Sequence, residues 1–126
     1  MEHNMVGWFE IPVTDMERAK AFYEAVFEID IQVHQLGGVE MGWFPMADDK
    51  RGAPGSLVKQ SDFYHPSATA GVVIYFSCED VAASLARVTR AGGTVLEPKK
   101  QIGEGYGFMG LFLDPEGNRI ALHSRK

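Results

Sequence analysis

Apolar and polar residues follow one another along the chain in a pattern that predicts a strand, a helix and three further strands. Residues 5–13 are typical of a strand, and apolar residues three and four positions apart then predict a helix. We interpret Thr14 and Glu17 as the capping box that begins this helix. Period-two alternation and turn residues predict the other strands of this half: 29–36, 39–46 and 56–60.

The same order of elements returns in the second half. A strand is predicted over 71–78, followed by a helix that Asp80 caps and Gly92-Gly93 ends. The remaining predicted strands of this half are 94–97, 108–113 and 119–124. The segment FEIPVTDMERAKAFY also aligns with IYFSCEDVAASLARV, which suggests duplication.

We therefore expect an α+β fold of two βαβββ modules within a single domain over residues 1–126. Module one covers about 5–60, a linker covers about 61–70, and module two covers about 71–124. A chain of 126 residues with 45% hydrophobic and 23% charged residues has the composition of one globular domain.

The net charge and the single cysteine restrict the partners and the compartment that we expect for this protein. The net charge of −5 argues against nucleic acid or an anionic membrane as a partner, because both attract basic surfaces. No stretch of 18 apolar residues is present, and residues 1–6 do not resemble a secretion signal. The single cysteine, Cys78, fits a reducing cytoplasm, and its alternation on the strand predicts a place in the core.

Three segments of the chain resemble one family: VTDMERAKAFYEAVF, SCEDVAASLARVTRAGG and FLDPEGNRIAL. The chain is similar through them to the vicinal oxygen chelate superfamily, which contains glyoxalase I, bleomycin-resistance proteins and extradiol dioxygenases. The resemblance implies a curved, mostly antiparallel sheet around a cavity, with the helices outside. It also implies a homodimer with a small-molecule ligand.

The resemblance further implies where metal ligands would lie. The family often has a His or Gln seven residues before each helix-capping Asp and a Glu four residues after the Gly of DPxGN. Those places here hold Trp8, Val73 and Ala121. None of these side chains offers the oxygen, nitrogen or thiolate that a divalent metal needs. We therefore expect no metal and no cofactor, and neither standard metal-dependent glyoxalase I nor extradiol dioxygenase chemistry.

Strand alternation assigns the residues that would face the cavity. If Trp8 faces inward, Glu10 does too, whereas Phe9, Ile11 and Val13 pack beneath the helices. We predict Glu10 and His123 as candidate catalytic residues. The candidate ligand-binding residues are Trp8, Trp43, Phe44, Tyr75, Ser77, Leu111 and Arg119.

Three functions remain open at this point. Glu10 could act as the acid or base of a metal-independent lyase or isomerase, since a carboxylate in a desolvated cavity suits that role. The chain could instead sequester a ligand without catalysis, as bleomycin-resistance proteins do. A metal enzyme with Glu10 and His123 as relocated ligands is the third hypothesis. The structural alternative is that Glu10 only pairs with Arg119 or His123.

Overall fold

The computed structural model describes residues 4–126 and contains the predicted order of elements twice. The elements are β1 (Phe9–Pro12), α1 (Met16–Phe27), β2 (Gln32–Leu36), β3 (Val39–Trp43), β4 (Gly55–Lys59), β5 (Tyr75–Ser77), α2 (Val81–Arg90), β6 (Thr94–Gly103), β7 (Gly107–Leu113) and β8 (Arg119–Ser124). The predicted α+β class and the repeated βαβββ order are confirmed. In residues 4–126, no helix is long and apolar enough to cross a membrane.

The strands form two four-stranded sheets with the same topology. Their orders are β1-β4-β3-β2 in the first half and β5-β8-β7-β6 in the second. The pairs β1–β4 and β5–β8 are parallel, and all other neighbouring pairs are antiparallel. The predicted mostly antiparallel arrangement is therefore confirmed, and it divides between two sheets.

Several strand boundaries differ from the sequence prediction. β1 and β5 are shorter than predicted, whereas β6 continues beyond residue 97 to Gly103. Pro98 is tolerated within β6 because this strand lies at the edge of its sheet and one side needs no hydrogen bonds. Register shifts between Glu97 and Lys100 accommodate the irregularity. Part of the predicted QIGEGYG loop is therefore strand.

The start of α1 also differs from the prediction. The N-cap is Asp15, whose Oδ1 accepts a hydrogen bond of 3.0 Å from the Arg18 backbone N–H. The predicted capping box of Thr14 and Glu17 is wrong, because Thr14 donates its hydroxyl to Glu116 instead. The predicted cap of α2 is confirmed, since Asp80 accepts a bond of 3.0 Å from the backbone N–H of the second helical residue.

The hydrophobic core lies between the sheets and the helices. Ile11 and Val13 are buried beneath α1, as the alternation of β1 predicted. Phe9 packs edge-to-face against Phe76 with ring centroids 5.6 Å apart, so aromatic contacts join the two halves. Cys78 is half-buried against this core. The two sheets are thus held as parts of one packed structure.

The turn between β7 and β8 adds polar contacts between the halves. Asp114 is buried and accepts a hydrogen bond of 2.7 Å from the Tyr23 hydroxyl. Burial raises the pKa of Tyr23, and the Asp114 carboxylate raises it further, so the phenol stays a donor. The Asn118 amide donates to the Pro12 carbonyl at 2.8 Å. We call residues Asp114–Asn118 the DPEGN clamp, because they hold the end of β1.

Glu116 is the third contact of the DPEGN clamp. Its Oε1 accepts hydrogen bonds of 2.7 and 2.8 Å from the backbone N–H groups of Thr14 and Asp15. Its Oε2 accepts a bond of 2.5 Å from Arg18 Nε. The Glu116 side chain has no exposure to solvent. A carboxylate from the second half therefore neutralises the positive N-terminal end of the helix in the first half.

Candidate functional site

A small pocket lies where β1 and β8 meet, on the side that Glu10 faces. Its volume is about 180 Å³. The segment before β5 folds over it and supplies part of its wall. We call it the β1–β8 pocket, and its lining residues are Glu10, Ile11, Pro12, His65, Ser67, Ala70, Gly71, Val72, Ile74, Asn118, Arg119 and Ile120. Two candidate residues, Glu10 and Arg119, are thus brought together.

Two hydrogen bonds fix the Glu10 carboxylate. Its Oε1 accepts from the Tyr64 hydroxyl at 2.5 Å, and its Oε2 accepts from Trp8 Nε1 at 3.2 Å. The bond to Glu10 raises the pKa of Tyr64, with a further contribution from burial, so the phenol stays neutral and donates. A carboxylate has about four acceptor positions, so each oxygen keeps capacity for a further donor.

Arg119 lies in the same pocket but does not pair with Glu10. In residues 4–126, its guanidinium makes no hydrogen bond within 3.5 Å and no ion pair within 4.0 Å. The structural alternative in which Glu10 pairs with Arg119 or His123 is therefore wrong, since the partners of Glu10 are Trp8 and Tyr64. Two residues of opposite charge thus line one small pocket without forming an ion pair with each other.

A row of aromatic side chains, formed by Trp8, Trp43 and His34, lies beside Glu10 on the first sheet. The pairing register places Ser56 beside both Glu10 and Trp43, so these three side chains share a face. Trp43 meets the Trp8 ring edge-on at 6.4 Å and lies 4.1 Å from the His34 ring, measured between centroids. Trp43 Nε1 and His34 Nε2 are buried, and neither has a hydrogen-bond partner in residues 4–126. The row therefore has unused hydrogen-bonding capacity.

His123, the second candidate catalytic residue, lies at the other end of β8 from Arg119. Its Nε2 is 2.8 Å from the carbonyl oxygen of Tyr106. It lines a separate depression with Tyr106 and Arg125, and this depression shares no lining residue with the β1–β8 pocket. The structure does not bring His123 to Glu10.

The other predicted ligand-binding residues are dispersed. Phe44 is buried in the core, on the face of the first sheet opposite to Trp43, and its ring lies 5.5 Å from Phe76. Phe44 and Ser77 line a groove of about 460 Å³ between the halves. Tyr75 is 54% exposed, and Leu111 is half-buried opposite Ala121 on the second sheet. We therefore do not include these residues in the β1–β8 pocket.

Two residues of this site, Tyr64 and His65, were not predicted from the sequence. Both belong to the segment that was interpreted as a linker, yet Tyr64 bonds to Glu10 and His65 lines the pocket. The sequence FYHP at 63–66 offered a signal, because two aromatic residues and a histidine are unusual in a segment that only connects modules.

The places where metal ligands were expected do not fit a metal. The Trp8 side chain uses its only polar atom as a donor to Glu10. The Val73 side chain has no polar atom, and Ala121 is fully buried between Tyr75 and Leu111. In residues 4–126, no three His, Cys, Asp or Glu side chains are grouped so that they could hold a metal ion. The donor set of this chain therefore does not match a divalent metal at those places.

Comparison with known proteins agrees with the repeated fold. Residues 5–122 match the model of the Glyoxalase/Bleomycin resistance protein/Dioxygenase superfamily. A glyoxylase-like domain-containing protein of Didymella fabae is 29% identical over 126 residues, covering 98% of this chain and 95% of that protein. The chain therefore belongs to the Glyoxalase/Bleomycin resistance protein/Dioxygenase superfamily, the vicinal oxygen chelate group that the sequence resembles.

Solved structures share the architecture. A glyoxalase/bleomycin resistance protein from Albidiferax ferrireducens T118 superposes with a TM-score of 0.73 at 18% identity, over 97% of this chain and 100% of that one. TnmS3, an antibiotic binding protein from Streptomyces sp. CB03234, has a TM-score of 0.66 at 28% identity, over 100% and 99% of the two chains. An antibiotic-binding protein thus aligns with this chain over nearly its whole length.

Proposed function

We propose that this chain binds a small organic molecule in the β1–β8 pocket, with Glu10 as a fixed anionic anchor. The observation that carries the proposal is the pair of hydrogen bonds that Tyr64 and Trp8 donate to Glu10. These bonds hold the carboxylate in one orientation while leaving acceptor capacity on both oxygens. Binding groups that are positioned in advance lose less entropy when a ligand arrives.

A binding role without catalysis is favoured by comparison with a similar protein, because the two hydrogen bonds to Glu10 suit an anchor and a base equally well. The 28% identical neighbour TnmS3 is described as an antibiotic binding protein, which supports the same class of function for this chain. We therefore favour ligand sequestration.

A metal-independent lyase or isomerase is the second candidate. The observation in its favour is the hydrogen bond from the Tyr64 hydroxyl, because it positions a carboxylate that can serve as a general base while the phenol stays neutral. The two candidates differ in what happens to the ligand. A sequestering protein returns the ligand unchanged after long incubation, whereas an enzyme converts it, and mass spectrometry of the released ligand distinguishes them.

The binding proposal is tested with Glu10→Gln. A metabolite and natural-product library is first screened by tryptophan fluorescence, since Trp8 touches the anchor. Losing one charge-assisted hydrogen bond costs about 1.5–3 kcal/mol, so Glu10→Gln should bind the selected ligand roughly ten- to hundredfold more weakly. Glu104→Gln, which removes an exposed carboxylate in a turn, is the control. Equal affinity of the parent and Glu10→Gln would contradict the proposal.

We further propose that two copies of the chain associate, as the family resemblance implies. Large apolar side chains remain exposed near the open faces of the sheets, including Trp8, Val72 and Tyr75. Association would bury such surface. Analytical ultracentrifugation at micromolar concentration should show a species of twice the 13.9 kDa chain mass. A single species at 13.9 kDa would contradict association.

The mismatch at the expected ligand places leads to a proposal about metal content. Trp8, Val73 and Ala121 offer no lone pair to a divalent ion. We expect elemental analysis of the dialysed protein to find less than stoichiometric zinc, nickel, iron or manganese. One tightly held ion per chain would show that ligands have been recruited from other positions.

A further inference from the structure

We propose that the β1–β8 pocket selects a small zwitterion, a molecule that carries an ammonium and a carboxylate close together, as a free amino acid does. This inference rests on the proposed function and specifies the ligand class of the same site. It follows from the charges in the pocket, the size of the pocket and the geometry of its two charged groups.

Glu10 and Arg119 both line the pocket, and they form no ion pair with each other. A ligand that fills the pocket removes water from both groups. A ligand with a single charge would pair with one of them and leave the other without an opposite charge in a site that has lost its water, which is costly. A ligand with one charge of each sign satisfies both groups at once.

The dimensions of the pocket favour a molecule of amino-acid size. Its volume of about 180 Å³ lies below the range of about 300–1,000 Å³ that is typical of pockets for larger ligands, which favours a small molecule. Much of the remaining wall is apolar, formed by Ile11, Ile74 and Ile120 together with Val72. Such walls suit a short aliphatic side chain beside two charged groups.

The two charged groups also suit the two ends of a zwitterion. The free acceptor positions of Glu10 can bind an ammonium, which has three donors. The hydrogen bonds from Trp8 and Tyr64 hold the carboxylate in the orientation in which those positions are available. The Arg119 guanidinium, which has no partner in the described residues, can bind a carboxylate through two parallel hydrogen bonds. We therefore expect the ammonium near Glu10 and the carboxylate near Arg119.

Three matched probes test the inference: L-leucine, 3-methylbutylamine and 4-methylpentanoate. The amine is leucine without its carboxylate, and the acid is leucine without its amino group. Isothermal titration calorimetry and saturation-transfer NMR on the full chain measure binding up to 10 mM. We expect leucine to bind at least about tenfold more tightly than either singly charged probe, because each charge-assisted contact contributes about that factor.

The outcomes separate this inference from the proposed function. If the amine binds as tightly as leucine, the zwitterion inference is overturned while Glu10 remains an anchor. If the acid binds as tightly as leucine, both the inference and the role of Glu10 in this pocket are overturned. If no probe binds at 10 mM, the inference is overturned, and the library screen with Glu10→Gln still decides the proposed function.

Charge variants assign each end of the ligand. Leucine should bind to Arg119→Gln about as weakly as 3-methylbutylamine binds to the parent protein. Leucine should bind to Glu10→Gln about as weakly as 4-methylpentanoate binds to the parent protein. Arg119→Lys keeps the charge but loses the paired hydrogen bonds, so it should fall between. Arg51→Gln and Glu104→Gln remove exposed charges elsewhere and should leave leucine affinity unchanged. An equal loss in these controls would point to net charge and would overturn the assignment.

Discussion

The two helices begin with the same local structure but have different partners. Asp15 caps α1 and Asp80 caps α2, as expected of repeated modules. The start of α1, however, is bonded by Glu116 from the other half of the chain. The start of α2 is bonded within its own half, where Lys99 Nζ lies 2.9 Å from Asp80 Oδ1. The DPEGN clamp therefore makes the duplicated halves unequal.

The sheets differ in a similar way. On the first sheet, Trp8 and Tyr64 hold Glu10, and Trp43 continues the contact to His34. On the second sheet, the equivalent strand β5 carries Tyr75 and Ser77, both exposed and without a hydrogen bond from their side chains in residues 4–126. Polar groups suited to a ligand are thus concentrated in the first half, and the second half adds Arg119 at the junction.

The largest expected effect tests the difference between the starts of α1 and α2. Glu116→Gln should lower the free energy of unfolding by about 2 kcal/mol, because a neutral amide accepts weaker hydrogen bonds from Thr14, Asp15 and Arg18 than the covered carboxylate does. Glu17→Gln changes the residue of the predicted capping box, which is exposed, and should cost below about 0.5 kcal/mol. Urea denaturation followed by circular dichroism measures both. Equal losses would show that the long-range contact adds nothing to the local sequence.

The pH dependence of stability provides a second test of the Glu116 contact. Burial opposes ionisation of Glu116, but the bonds from Arg18 and from the Asp15 and Thr14 N–H groups outweigh it and lower its pKa below the ordinary 4.5. A lowered pKa in the folded state stabilises the fold above the unfolded-state value and loses that contribution as pH falls through the folded-state value. The stability difference between the parent and Glu116→Gln should therefore shrink below about pH 4.5.

The ionisation of Asp114 also makes the stability of the protein depend on pH. Burial raises its pKa, so its ionisation opposes folding and its contribution changes with pH in the opposite direction. Asp114 is present in both proteins, and subtraction of the two pH profiles removes its contribution. A difference between the parent and Glu116→Gln that stays constant down to pH 3 would contradict a lowered pKa of Glu116.

A smaller effect is expected on the first sheet. Tyr64→Phe removes one hydrogen bond to Glu10 and should cost about 1 kcal/mol of stability, because the contact is only partly buried. It should also change the emission of Trp8, since Glu10 gains freedom. Tyr106→Phe alters a tyrosine that is 72% exposed and provides the matched control. If both variants leave fluorescence unchanged, Tyr64 does not hold the anchor.

The smallest effects concern α2. Asp80→Ala should lower the melting temperature slightly through the lost cap. Asp80→Asn keeps the capping oxygen but removes the ion pair with Lys99, and should lower it less because the pair is partly exposed. Thermal denaturation compares the two. An equal loss for Asn and Ala would show that the ion pair, and not the cap, stabilises this helix start.

The sequence allowed the fold to be predicted because its signals are local. The alternation of Phe9, Ile11 and Val13 identifies the core face of β1 from neighbouring residues alone, and Asp80 marks a helix start in the same way. The strand boundaries were predicted less accurately, because Pro98 predicts the end of a strand unless that strand is known to lie at a sheet edge.

The site was only partly predictable for the opposite reason. Tyr64 reaches Glu10 across 54 positions of sequence, and no local pattern encodes that contact. Phe44 and Trp43 are adjacent in sequence and face opposite sides, so the choice between them required the register with β4. Glu116 appeared only as part of a turn motif, because its partners lie about 100 residues earlier.

That separation has a consequence for how the chain folds during synthesis. The ribosome releases the residues of α1 long before Glu116 emerges, so the nascent first half must wait for the polar contact that completes its helix start. Contacts so far apart in sequence carry a large loop-closure cost and form late. We expect the first half to remain open to proteases and chaperones until the last turn of the chain has left the exit tunnel.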